Sequence, residues 1–328
     1  MISAIGIVLA VLGLIAVATI VHVADGFPAM LSTLAGAGPI VLLLVPLHAI
    51  PLLLDARGWR ELLPTDTRLR TLFWIATIRE AINRLLPAVN VGGEIVGIRL
   101  LALSGPGGAV AAASVVVEIV VTLFSQYLFV ALGLLCLLHV TGSVPWGGAL
   151  VFGFALALPL LALPVILLRR GALFAALSRL LHRLSGRWAT QLAAGSAGLD
   201  AAIGHLYSMP SRWVAAGLWQ YSGLLAGCAE TWLALRWLGH PVSIAGAIAL
   251  ESATQALRNF IFFVPAGLGV QELGLMGVGH LIGLSSESAL ALSLVKRMRE
   301  VLFGLPALAT WYWSEGRRGL RRIRQRTS

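Results

Sequence analysis

Long uncharged apolar runs alternate along this chain with short connections rich in arginine. Residues 2–21, 39–54, 144–168 and 213–229 contain no Asp, Glu, Lys or Arg. The longest of these runs pass the roughly 18 residues that mark a bilayer-spanning helix. Two further apolar helices, one carrying Glu118 and one carrying Glu300, follow stretches of a different kind. Residues 72–104 and 244–284 mix apolar residues with charge, and each is interrupted by a proline, Pro87 or Pro265, beside glycines: Gly92 and Gly93 in the first, Gly267 and Gly269 in the second. The first stretch holds Arg79, Glu80, Arg84, Glu94 and Arg99, with Asn83 and Asn90 between them. Five such charges facing lipid would cost roughly 12–17 kcal/mol on insertion scales, so they require protein, counter-charge or water around them. Broken backbone at membrane depth is tolerated where it is buried or lines a cavity. The pattern therefore predicts two re-entrant, broken-helix hairpins; two ordinary Pro-kinked helix pairs are the plainer alternative.

Composition agrees. Hydrophobic residues make up 58% of the chain and charged residues 12%, about half the charged share of a soluble globular protein. The net charge of +10 would point to nucleic acid in a soluble protein, but here the arginines sit beside apolar helices, where they set orientation. They cluster at Arg57–Arg70, at Arg169–Arg187 and in the tail from Arg317, whereas connections 22–38 and 139–146 carry no Lys or Arg. The three clusters are thus expected on the cytoplasmic side, with both termini. For the orientations to close, hairpin 72–104 must enter from the cytoplasm and hairpin 244–284 from outside. The first run lacks a basic leader and an evident cleavage site, so it reads as a retained helix. Leu173, Leu177, Leu180, Leu181, Leu184 and Trp188 share one helical face among arginines, which suits a helix lying on the inner membrane surface.

The two broken stretches also resemble each other. Pro87-Ala88 is followed by Glu94 and Pro265-Ala266 by Glu272 at the same spacing; Asn83-Arg84 precedes the first proline and Arg258-Asn259 the second. The expected architecture is an all-α integral membrane protein of about six transmembrane helices plus two re-entrant hairpins, built on an inverted internal repeat. Repeat A covers about 38–141, repeat B about 213–313, with a cytoplasmic connection at 169–211 and a tail at 314–328. Repeats of opposite orientation with interrupted helices point to a transporter whose site lies at the repeat interface.

The run from Arg79 to Pro87, continuing through Gly92-Gly93-Glu94 to Arg99, resembles the lysylphosphatidylglycerol synthase transmembrane-region, or flippase-like, family. So does Val264-Pro265-Ala266-Gly267-Leu268-Gly269-Val270-Gln271-Glu272 with Lys296-Arg297-Met298-Arg299-Glu300 downstream. The similarity is greatest to the family's hopanoid-biosynthesis-associated branch, HpnL. The resemblance implies a bacterial inner-membrane protein that flips or exports a lipid, with hopanoids the favoured class. Some relatives add a soluble aminoacyl-transferase domain, and no hydrophilic region of this sequence is long enough for one, so no enzymatic activity is expected.

The candidate translocation path comprises Arg79, Glu80, Asn83, Arg84, Asn90, Glu94, Arg99, Glu118, Arg258, Asn259, Gln271, Glu272, Lys296, Arg297, Arg299 and Glu300. Pro87, Gly92, Gly93, Pro265, Gly267 and Gly269 are read as backbone devices. Glu94 and Glu272 could bind a substrate hydroxyl or a proton, or simply pair with arginine. Glu80 and Arg84 are spaced for an i,i+4 bridge. Arg84 and Arg258 could engage phosphate or hydroxyl groups or neutralise a nearby glutamate. Glu300 alone cannot offset Lys296, Arg297 and Arg299, so those cations are expected to face a wet cavity. Glu118 is expected to face a cavity or couple protons, Glu230 has no assigned role, and Glu251 is expected to pair structurally with Gln255 or Arg258. The seven histidines form no metal motif, and Cys136 and Cys228 lie in apolar runs; no cofactor or metal is expected. Expected partners are membrane lipids (a hopanoid or phospholipid) and lipid-biosynthesis or export proteins, not nucleic acid. Two other functions fit the same residues: ion-coupled transport of a small polar solute, and a non-catalytic scaffold for lipid-synthesising enzymes.

Overall fold

The computed structural model describes residues 35–63, 67–86, 92–142, 201–261 and 269–327, with a few isolated positions between them, and side chains as far as residue 314. The apolar runs at 2–21 and 144–168, the expected surface helix at 173–188, and Pro87, Asn90, Pro265 and Gly267 lie outside the described residues. Every regular element among the described residues is helical.

A 3-10 segment, Gly38–Leu43, and a single turn, Leu44–Leu47, lead into α1, Ala49–Glu61. Together they form a largely apolar rod, Ala35–Glu61, with an 18-residue stretch of mean hydropathy 2.2. Helix α2, Leu69–Leu85, ends as Leu86 turns extended (φ −108°, ψ 147°), the conformation imposed on a residue that precedes proline. Helix α3, Gly92–Ala102, returns, and α4, Gly108–Thr141, follows as a second rod with an 18-residue stretch of mean hydropathy 2.2. These two rods are long and apolar enough to cross a bilayer.

The second half repeats this sequence of elements. Helix α5, Pro210–Trp237, begins with proline at its first turn, where the missing N–H is not needed. Helix α6, Ile244–Phe260, is capped by Ser243, whose Oγ accepts from Gly246 N. Helix α7, Val270–Leu281, starts after Gly269 (φ 79°), whose N–H donates to Glu272 Oε2 at 2.9 Å. Helix α8, Ser286–Thr327, is the longest, at 42 residues. The hairpin arms have 17 and 11 residues in the first half and 17 and 12 in the second.

Packing partners are reciprocal. Helix α2 packs on α8 as α6 packs on α4; α3 lies between α2 and α4 as α7 lies between α6 and α8; α1 and α5 pack on each other. Close approach at these contacts depends on glycine, as in helix contacts where lipid supplies no hydrophobic drive. A Cβ at Gly133 on α4 would lie 1.6 Å from Ser252 Oγ on α6, and one at Gly304 on α8 would lie 2.7 Å from Leu85 Cδ1 on α2.

Two large apolar cores, with two smaller apolar clusters beside them, form among the described residues. One gathers Trp59, Leu72, Ile75, Ile78 and Leu101; the other gathers Leu235, Leu250, Leu275, Leu290 and Val295. The outer surface is also apolar, with Leu128, Leu135, Leu218, Ile95 and Ile244 each about three-fifths exposed. An apolar exterior around a charged interior suits hydrocarbon as the solvent.

Candidate functional site

Helix α2 carries Arg79, Glu80, Asn83 and Arg84 in two adjacent turns, so that Arg79 with Asn83 and Glu80 with Arg84 serve two different clusters. Arg79 turns toward α3 and α4. Its guanidinium donates to Glu118 at 2.8 and 3.0 Å and to Glu94, and stacks 4.7 Å from the Trp59 ring centroid. Two glycines on α3 permit this approach. A Cβ at Gly97 would meet Arg79 Cδ at 2.6 Å, and one at Gly93 would meet the Arg79 carbonyl at 2.4 Å. Asn83 Oδ1 accepts from Gly93 N at 2.9 Å, satisfying one of the N–H groups left open at the start of α3.

Glu80 turns the other way, toward His48 in the segment before α1. His48 Nε2 lies 3.0 and 3.1 Å from the two Glu80 oxygens, and its Nδ1 lies 3.1 and 3.3 Å from those of Glu230 on α5. Arg299 on α8 pairs with Glu230. Arg84 lies 4.0 Å from Glu80 and 3.9 Å from Glu300, and Arg258 on α6 reaches Glu300 at 3.2 Å. These links join the helices of one apolar core to those of the other.

The cluster continues through the second hairpin. Arg258 donates to Gln271 Oε1 at 2.8 Å, Gln271 Nε2 donates to Ser293 Oγ at 3.1 Å, and Ser293 donates to Glu272 at 2.7 Å. Arg297 bridges Glu272 at 3.5 Å and Glu300 at 3.3 Å, and Lys296 pairs with Glu251, which also accepts from Thr231 at 2.5 Å.

Several sequence expectations change on this geometry. Lys296, Arg297 and Arg299 do not rely on Glu300 alone: Glu251, Glu272 and Glu230, supplied by α6, α7 and α5, pair with them. Glu251 pairs with Lys296 rather than with Gln255 or Arg258, because the α6 face bearing it turns toward α8. Glu118 is 2% exposed and is engaged by Arg79. The Glu80–Arg84 bridge is present but long, since Glu80 sits closer to His48. Arg99 and Asn259 are exposed; Asn259 donates to Gln126 at 2.8 Å, outside the cluster. Gly92, Gly93 and Gly269 open helices α3 and α7. His48 and Glu230, given no role from sequence, sit at the junction of both halves, and Asp55 adds a carboxylate near Arg79 and Glu94.

Among the described residues the cluster leaves little open space. The space beside His48, Glu80, Arg84, Glu300, Phe303 and Gly304 amounts to about 10 Å³, room for about one water. A larger recess of about 470 Å³, at Gly239–Ser243 and Ile282–Ser285, shares no residue with it. Among the described residues no group of His, Cys, Asp and Glu is arranged to hold a metal.

A family model, lysylphosphatidylglycerol synthase TM region, matches residues 2–307. The chain belongs to this family. The lysylphosphatidylglycerol synthase TM region is a membrane module linked to lipid, which agrees with the apolar helices and places this protein in a membrane, in connection with lipid handling. No curated protein and no solved structure matches the chain.

Proposed function

We propose that this protein translocates an amphipathic lipid across the bacterial cytoplasmic membrane, with a hopanoid as the favoured substrate class and the hopanoid-associated branch as its nearest kin. The observation that carries this reading is the paired charge cluster joining the two halves inside an apolar shell. A polar head can cross there by exchanging partners with Arg84, Glu94, Glu272 and Arg258 while its tail stays in lipid. Arginine's planar fork suits hydroxyl and phosphate oxygens, and the carboxylates accept from hydroxyls.

The reciprocal packing and the matched hairpin lengths support an inverted repeat, with the first hairpin entering from the cytoplasm and the second from outside. In the closed arrangement ion pairs stand in for water; in the open ones the interface admits a headgroup from one side at a time. Transport of this kind makes and breaks no covalent bond, and the protein is read as a transporter rather than an enzyme, with both termini cytoplasmic.

Reconstitution into liposomes containing a fluorescent or spin-labelled lipid tests the reading. Transbilayer movement by the intact protein, lost on Glu94→Gln or Arg84→Ala, is expected. Uptake of a small solute without lipid movement would point to the ion-coupled transporter, and neither activity to a scaffold.

A further inference from the structure

His48 has a carboxylate on each side, and this sets how many protons its ring must carry. A neutral imidazole has one donor and one acceptor nitrogen, while an ionised carboxylate accepts only. Nδ1 is 3.1 Å from Glu230 and Nε2 is 3.0 Å from Glu80, so both bonds exist together when both nitrogens carry hydrogen. The ring is 8% exposed and meets Phe303 edge-on at 5.1 Å. Other charges face it from each helix packed around it: Arg84 from α2 beside Glu80, and Arg299 and Glu300 from α8 beside Glu230 and Arg84. The water-sized space borders His48 and Arg84 and has room for about one water to take a proton.

We infer that His48, Glu80 and Glu230 form a proton-carrying latch between the two halves, and that lipid movement is coupled to a proton through it. The inference rests on the lipid-translocation reading for what is moved, and it adds the energy source. The step balances simply. The imidazolium gives one N–H proton to water in the adjoining space, leaving a neutral ring with a single donor. One carboxylate bond must then break, because the bare nitrogen and the carboxylate are both acceptors. His48 thereby lets go of either α2 or α5, the helices that precede the second arm of the first hairpin and open the second half. Reprotonation restores both bonds and closes the interface. Proton state is thus translated into whether the halves are tied together, and histidine is the side chain best suited to exchange a proton in this way.

Two measurements test this. In nitrogen-15 histidine NMR of the full chain in lipid nanodiscs at neutral pH, the signal missing from His48→Gln should be that of a ring with both nitrogens protonated. Glu80→Gln, which keeps shape, removes one negative charge and supplies an amide N–H able to donate to a bare ring nitrogen, should return that ring to the neutral form and provides the comparison if His48→Gln fails to fold. A neutral ring in the unsubstituted protein overturns the latch. In liposomes with the voltage clamped at zero, one proton moved per lipid makes an imposed gradient of one pH unit distribute labelled lipid about tenfold unequally between leaflets. Lipid that moves yet stays evenly distributed under the gradient overturns the coupling and leaves the lipid reading intact. A protein that moves no labelled lipid but shows the doubly protonated ring overturns the lipid reading instead, along with the coupling built on it.

Discussion

Replacing Arg79 with methionine removes one cation that serves two carboxylates. Glu118, with 3% of its side chain exposed, loses hydrogen bonds of 2.8 and 3.0 Å; Glu94, with a side chain 20% exposed, loses its ion pair. Leaving a buried charge without its partner costs about 3–5 kcal/mol. Most of this falls on Glu118, since Glu94 has recourse to water and to Asn83 Nδ2 at 3.5 Å. Stacking on Trp59 adds about 0.5–2 kcal/mol more. Methionine keeps much of the packing against Gly97, so the loss is electrostatic rather than a cavity. Arg79→Met is therefore expected to destabilise the protein by about 3.5–7 kcal/mol, measured by steric trapping or reversible denaturant unfolding in bicelles. Combining it with Glu94→Gln and Glu118→Gln should recover most of that loss, because a buried ion cluster replaced as a unit by neutral isosteres is often tolerated. A loss below about 1 kcal/mol, or a triple variant no more stable than the single one, would refute the view that Arg79 is held by these two carboxylates.

Gly93→Ala is expected to cost about 1–3 kcal/mol in the same assay, since the added carbon meets the Arg79 carbonyl at 2.4 Å; Gly108→Ala, with nothing within 4 Å, should be near neutral. The buried Lys296–Glu251 pair predicts non-additivity: Lys296→Met and Glu251→Gln together should cost less than the sum of the single changes, with a coupling of about 0.5–3 kcal/mol in a double-mutant cycle. Additive losses would show that the two side chains do not act as a pair.

The helical class, the two interrupted stretches and most of the charged cluster were legible in the sequence because charges are costly in hydrocarbon and proline interrupts helices. Arg79, Glu94, Arg258 and Glu272 follow from that rule alone. What the sequence could not show is which charge meets which. His48 finds Glu230 across 182 positions and Arg84 meets Glu300 only because α2 lies on α8. Each of Lys296, Arg297 and Arg299 looked under-compensated on its own helix, yet each draws its carboxylate from a neighbour. A lone histidine in an apolar run, such as His48, carried a usable signal: an imidazole there needs polar company, and Glu230, a carboxylate given no partner from sequence, was available to supply part of it. Arg99, placed beside the break by sequence, is exposed in the structure.

Alternating exposure of the charged interface requires the two hairpins to enter from opposite faces. Ser104, just after α3, and Ser285, just after α7, are both exposed at the outer ends of their hairpins. Single cysteines at these positions, with Cys136 and Cys228 replaced, can be challenged with a membrane-impermeant maleimide in oriented vesicles. The account predicts that Ser104→Cys is labelled only from the cytoplasmic face and Ser285→Cys only from the external one. Labelling of both from the same side would contradict it.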